Sequence, residues 1–207
     1  MKNIKEIFLL TAISLFVLYG CNTQKEIIDG FLSSPTHNDL DSIIAIPSVK
    51  DHWAQAQELA QKWHPDAYLI DVTVDVRLPE APSSINEVGF DFKSRTDKSA
   101  VLAVNCHAAC NSTILESSIS LPQCKPFELN DGLIKSKEAL SIGLEYVERS
   151  FIHGKNSMIR MRLERNYPRC EGNIITWSVS FSNIKSFEKT RVIINAFTKE
   201  IIEVQEY

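Results

Sequence analysis

Four cysteines lie in the second half of the chain, Cys106, Cys110, Cys124 and Cys170. Cys106, His107 and Cys110 together offer two thiols and an imidazole, the donor types that zinc and nucleophilic chemistry use. The spacing argues against both. It is C-x-x-x-C rather than C-x-x-C, and the other histidines (His37, His52, His64, His153) are scattered. A Cys106–His107 nucleophile pair is disfavoured because adjacent strand residues point to opposite faces. The order is not C-x-x-C-H, so that route to covalent haem is closed. The even count suits two disulfides, for which three pairings exist. We expect Cys106–Cys110 to close a local loop and Cys124–Cys170 to tie a central connection to the C-terminal part. A bridge of the second kind stabilises by ~3–4 kcal/mol in the chain-entropy view. No metal and no other cofactor is expected.

Carboxylates form the next candidate cluster. Asp71, Thr73 and Asp75 alternate along one strand face, with Asp91 on a neighbouring run. Such a group can hold Ca²⁺ or move protons, but it is also how the solvated face of an antiparallel sheet reads. Arg160, Arg162, Arg165 and Arg169 make a basic strip beside Tyr167. We take Met158–Leu163, and Arg160 and Arg162 in particular, as the expected contact with a protein or peptide partner. His64 sits beside Pro65, where it suits a helix C-terminus. Trp53 and Trp63 read as core. There is no G-x-S-x-G, no H-E-x-x-H, no S-x-x-K followed by K-T-G, and the seven glycines form no phosphate-cradling loop. With 22 basic and 26 acidic residues, net −4, no basic excess exists to bind nucleic acid. We expect no enzyme.

The elements that must position these residues come in two similar sets. Pro47-Ser48 leads into a helical pattern with Trp53, Ala56, Ala60 and Trp63 on one face, Ser48 as N-cap and Pro65 as stop. Strand-like runs follow at Tyr68–Val76, where Ile70, Val72, Val74 and Val76 share a face, at Val88–Phe92, and at Val101–Cys106. Ser136 then caps a second helical pattern carrying Leu140, Gly143, Leu144, Val147 and Phe151. Runs at Met158–Leu163, Ile175–Phe181 and Arg191–Phe197 follow it. Ser48 and Ser136, Phe92 and Phe181, and Leu102 and Ile193 are separated by nearly one offset, which signals an internal repeat. The expected fold is α+β: two similar units, 47–130 and 131–207, each a helix packed on a three- to four-stranded antiparallel sheet. One helix over one small sheet gives a thin core, so the two units should pack together.

The N-terminus carries an address. Lys2 and Lys5 precede an almost wholly apolar run, Ile7–Leu18, which is the layout of a secretory signal. It ends in Leu18-Tyr19-Gly20-Cys21, which resembles the lipobox of bacterial lipoproteins, with a larger residue than usual at Tyr19. The resemblance implies cleavage after residue 20, acylation of Cys21, and a membrane anchor facing the periplasm or cell exterior. Loss of residues 1–20 removes two lysines and one glutamate and takes the balance to −5. A mildly acidic chain stands off an anionic surface rather than lying on it. Residues 21–46, with Ser33-Ser34-Pro35-Thr36, read as a tether.

The second set of elements carries a further resemblance. The helix at Ser136-Lys137-Glu138-Ala139-Leu140 precedes Trp177-Ser178-Val179-Ser180-Phe181, and the chain closes with Asn195-Ala196-Phe197-Thr198-Lys199-Glu200-Ile201. This is similar to the PepSY-like domains of secreted bacterial proteins, with their "W-x-V-x-F" strand and "D-x-x-T-G-E-I" turn. Asn195 stands for the usual Asp and Lys199 for the usual Gly. The resemblance covers 132–207 and, more faintly, 47–106. It implies a module that binds or inhibits a partner rather than one that catalyses. A thiol- or metal-dependent role for Cys106, His107 and Cys110, and a purely structural envelope role, are the alternatives.

Overall fold

Val72, Val74 and Val76 place the strand Tyr68–Val76 at the centre of the molecule, where it is hydrogen-bonded on both sides. The computed structural model describes residues 44–78, 80–81, 86–116, 126–147, 151, 154–165 and 173–207. Asp41–Tyr207 forms one compact unit, and the other, Met1–Leu40, lies outside the described residues. Ten elements follow in order: α1 (Val49–Trp63), β1 (Tyr68–Val76), β2 (Glu87–Lys93), β3 (Ala100–Cys106), β4 (Cys110–Glu116), α2 (Ser136–Leu144), β5 (Ser157–Arg165), β6 (Ile175–Asn183), β7 (Lys189–Asn195) and β8 (Ile201–Glu206). The fold is α+β.

The strands make one eight-stranded antiparallel sheet in the order β4-β3-β2-β1-β5-β6-β7-β8. Two separate sheets packed together, as the sequence led us to expect, do not occur. The two meanders instead join edge to edge through β1 and β5, with Val72 opposite Leu163 and Val74 opposite Met161. Joining removes two nine-residue strand edges that would otherwise stay unpaired. Equivalent elements start 87–91 residues apart along the chain. Thr190, opposite Phe181 as Leu102 is opposite Phe92, is the counterpart of Leu102, and Ile193 faces the other way, opposite Ser178.

Both helices lie over one face. Trp53 of α1 stacks on Phe90 and Phe92, with ring centroids 5.8 and 6.0 Å away. Gly143 of α2 sits on Val179 and Phe181, so close that a Cβ there would meet Val179 Cγ1 at 3.0 Å. Trp177 is buried and donates its indole N–H to the Ile134 carbonyl at 3.0 Å. Val72, Val74, Val88, Phe90, Val104, Ile159, Met161, Val179, Val192 and Ile194 complete a fully buried apolar layer. Burial of a side chain of this size stabilises by ~1.5–3 kcal/mol, so this layer is the main support of the sheet.

Several local details depart from the sequence expectation. A bulge at Ile70 shifts the β1–β2 register, so Leu69 rather than Ile70 lies opposite Phe92 on the helix side. Each meander has a fourth strand, β4 and β8, that the alternation did not mark. Ser136 is the first residue of α2 and not its cap; that position belongs to Lys135, and Ser136 Oγ donates to the Pro47 carbonyl at 3.3 Å. Ser48 is the N-cap of α1 by position without a side-chain hydrogen bond. The second helix ends at Leu144, which leaves Val147 and Phe151 beyond it.

Candidate functional site

The sheet face turned away from α1 and α2 carries the acidic alternation. Asp91, Asp71 and Glu164 lie opposite one another on β2, β1 and β5, in one row across three strands. Antiparallel pairing sets such residues side by side, ~4.5–5.5 Å apart at Cβ. Asp71 and Glu164 are buried, and Arg162 Nε reaches both: it donates to Asp71 Oδ2 and lies 3.5 Å from Glu164 Oε2. Among the described residues, Asp71 Oδ1, Glu164 Oε1 and Thr176 Oγ1 have no hydrogen-bond partner. Burial pushes the Asp71 carboxyl up to about 7; Arg162 opposes the shift, and the Asp91 and Glu164 charges add to it. Burial likewise raises Asp91 and Glu164. Three carboxyls sharing one guanidinium can hold a proton at neutral pH, because the low-dielectric surroundings disfavour a second and third negative charge.

Two rows along on the same face, Arg160 grips Asp75 with two hydrogen bonds, Nε to Oδ1 at 2.6 Å and Nη2 to Oδ2 at 2.9 Å. The strand on which we placed the partner contact is thus the sheet's central partner of β1, not an edge, and both arginines are engaged by carboxylates. Their side chains remain half exposed. Beside them a depression of about 300 Å³ is bordered by Asp75, Glu87, Asp91 and Arg160. Its floor is Gly89, where a Cβ would come within 3.2 Å of Asn105 Oδ1.

The cysteines lie at the other rim. Cys106 and Cys110 face each other across the β3–β4 hairpin and are joined by a disulfide. The bonded sulfurs are not nucleophiles, and His107 is turned away, its Nδ1 2.6 Å from the Asn86 carbonyl. The histidine near the sulfurs is His52 of α1, which linear spacing does not reveal. Cys21, Cys124 and Cys170, and with them the expected Cys124–Cys170 pairing and the expected lipidation of Cys21, fall outside the described residues. His64 is the C-cap of α1, 4.0 Å from both Asp66 and Asp97.

A third place was not foreseen. Where α2 ends, an open groove of about 620 Å³ runs between Tyr146, Phe151 and Phe181 on one side and Lys189, Glu206 and Tyr207 on the other. Lys189 Nζ lies over the Tyr207 ring, 6.0 Å from its centroid. Next to it is the outermost strand, β8, with Ile202 50% and Val204 39% exposed. The hairpin joining β6 to β7 presents Phe187, 85% exposed and at φ 62°, a backbone conformation costly for an aromatic residue. Phe187 thus occupies a position where glycine is cheapest, which the sequence pattern does not show.

No family model matches the chain, and no curated protein matches it significantly. Among solved structures the chain is similar to a candidate lipoprotein from Clostridium difficile 630, at 12% identity and a TM-score of 0.48 over 75% of this chain and 92% of that one. At that level the likeness assigns neither family nor function. No described helix is long and apolar enough to cross a membrane.

Proposed function

We propose that this chain is a non-catalytic envelope protein, lipid-anchored at Cys21 and composed of two PepSY-like halves, that binds an extended segment of a protein partner along β8. The lipobox resemblance supports the anchor, and the recurrence of helix plus four-strand meander supports the repeat. The observation that carries the binding role is the β8 edge itself. An outer strand offers one row of unpaired backbone N–H and C=O groups, and an extended peptide adds to it by main-chain hydrogen bonds. Natural proteins blunt such edges with charge, proline or a cover, because an apolar edge invites pairing. Here Ile202 and Val204 stay exposed, and the adjoining groove supplies aromatic walls for the side chains of an incoming strand. Edge β4 exposes Ile114 and Leu115 as well, beside Asn111, Ser112 and Thr113, so what favours β8 is the groove next to it, which Glu206 and Tyr207 help to line. The arginines on β5 form part of the sheet's joint in this reading rather than the contact.

Photoreactive residues placed singly at Ile202, Val204, Ser112 and Arg160, with irradiation of intact cells, test the assignment. The expected result is a discrete protein adduct from the β8 positions alone. No adduct from β8, or an adduct from Arg160 only, would contradict it.

A further inference from the structure

The cluster at the β3–β4 rim does not take part in the β8 reading. Sγ of Cys106, Sγ of Cys110 and a ring nitrogen of His52 all lie within 4.8 Å of one another. They come from two directions. The cysteines are directly opposed on a hairpin, and the imidazole is delivered by the first turn of the helix packed above it. Cys106 is fully buried and Cys110 nearly so, while His52 is half-buried, so the cluster has a dry side and a wet side.

We propose that His52, Cys106 and Cys110 form a Zn²⁺ site that the disulfide masks and that a dithiol reductant opens. In the opening step the Cys106–Cys110 S–S bond breaks and the reductant's own S–S bond forms. Two electrons pass to the protein sulfurs, and the two thiol protons of the reductant end on them. Zn²⁺ then binds as the two sulfurs release those protons to solvent, and His52 donates the lone pair of its neutral ring. At Zn–S ~2.3 Å, tetrahedral geometry needs the two sulfurs ~3.8 Å apart and an imidazole nitrogen ~2.0–2.1 Å from the metal. Opposed hairpin positions 4.0 Å apart at Cα hold two free thiolates at such a separation without moving the strands. Two thiolates and one imidazole are a soft, borderline donor set, which selects zinc over calcium or magnesium. The fourth position falls on the wet side and goes to water, as in open zinc sites.

His107 is the internal control, since it neighbours Cys106 in sequence yet is turned to Asn86. The test uses the full chain in detergent, reduced with a phosphine and titrated with Co²⁺ as a spectroscopic stand-in for Zn²⁺. We expect one equivalent bound with the thiolate charge-transfer and tetrahedral ligand-field bands, displaced by Zn²⁺, and no binding before reduction. Loss of an outer-sphere partner already costs ~10–100-fold in affinity. His52→Gln, a substitution at a half-buried surface position that leaves the fold intact, should therefore cost at least about tenfold, His107→Gln nothing, and Cys106→Ser should remove the bands. Unchanged binding in Cys106→Ser would place the metal on other thiols and overturn the proposal. So would an unchanged affinity in His52→Gln, or loss of the sheet's circular-dichroism signal on reduction before any metal is added.

Discussion

At the scale of single residues, Asp71 makes the sheet face turned away from the helices sensitive to pH. An acid whose pKa is raised on folding binds more protons in the native state than in the unfolded one, so stability falls as pH rises between the two values. For Asp71 the window runs from about 4 to about 7, and Asp91 and Glu164 shift in the same direction. Urea unfolding at pH 4.5 and pH 8 should show a loss of ~1–3 kcal/mol at the higher pH, with Asp71→Asn much flatter. A wild-type chain that gains stability over this interval would refute the assignment. Phe187 gives the second residue-scale prediction. Relieving a left-handed aromatic gains ~1–2 kcal/mol, offset by ~0.5–1 for the added freedom of an unfolded glycine. Phe187→Gly should thus raise stability by ~0.5–1 kcal/mol in thermal unfolding. If Phe187 contacts the partner, the same variant should bind more weakly. Linear order exposed the alternating acids readily, but not that Asp71 would face Glu164 from a strand 93 residues away, nor that His52 rather than His107 would meet the sulfurs. Those are facts of pairing and of helix placement.

Among elements, the two closing hairpins show how far local chemistry carries. Asn183 Oδ1 accepts the N–H groups of Lys185 and Ser186, and Asn195 Oδ1 accepts those of Phe197 and Thr198. In each, the fourth residue on is left-handed, Phe187 in one and Lys199 in the other. Lys199 holds the left-handed position of the Asn195 turn, and its Nζ reaches Glu138 of α2 at 2.6 Å. Tight packing decides the helix. Gly143→Ala improves intrinsic helicity by ~1 kcal/mol, yet the new methyl meets Val179 and Phe181 at 3.0–3.2 Å, and overpacking costs ~1–3 kcal/mol. The expected net effect is destabilisation of about 1 kcal/mol, seen as a melting point lower by ~2–4 °C; a higher one would show that the sheet yields. The six core strands and both helices were legible because their apolar residues alternate or recur at helical spacing. Edge strands β4 and β8 were not, since an edge with few buried side chains leaves little apolar alternation to read.

For the whole molecule, a common offset in the sequence suggested a repeat but could not say how the strands would pair. Two like halves suggested two sheets, whereas strand pairing made one. The reason is physical: each half alone would leave one backbone edge of its first strand unpaired, and pairing β1 with β5 satisfies both at once. That joint leaves β4 and β8 as the two outer strands of the sheet, which is why the partner contact moves to β8 in the proposed function. The anchor is a separate whole-molecule matter. Labelled palmitate should enter the wild-type chain and not Cys21→Ser; label retained in the variant would contradict lipidation at that position. Everything argued about the edges depends on the joint, and one measurement addresses it. Asp75 and Arg160 are directly opposite on β1 and β5, and replacing both removes the two ends of their ion pair together. In the full chain carrying Asp75→Cys and Arg160→Cys, purified under oxidising conditions, peptide mapping should find the two introduced cysteines bridged in nearly every molecule. If both stay free while Cys106–Cys110 is intact, β1 and β5 are not neighbours, and the single continuous sheet is wrong.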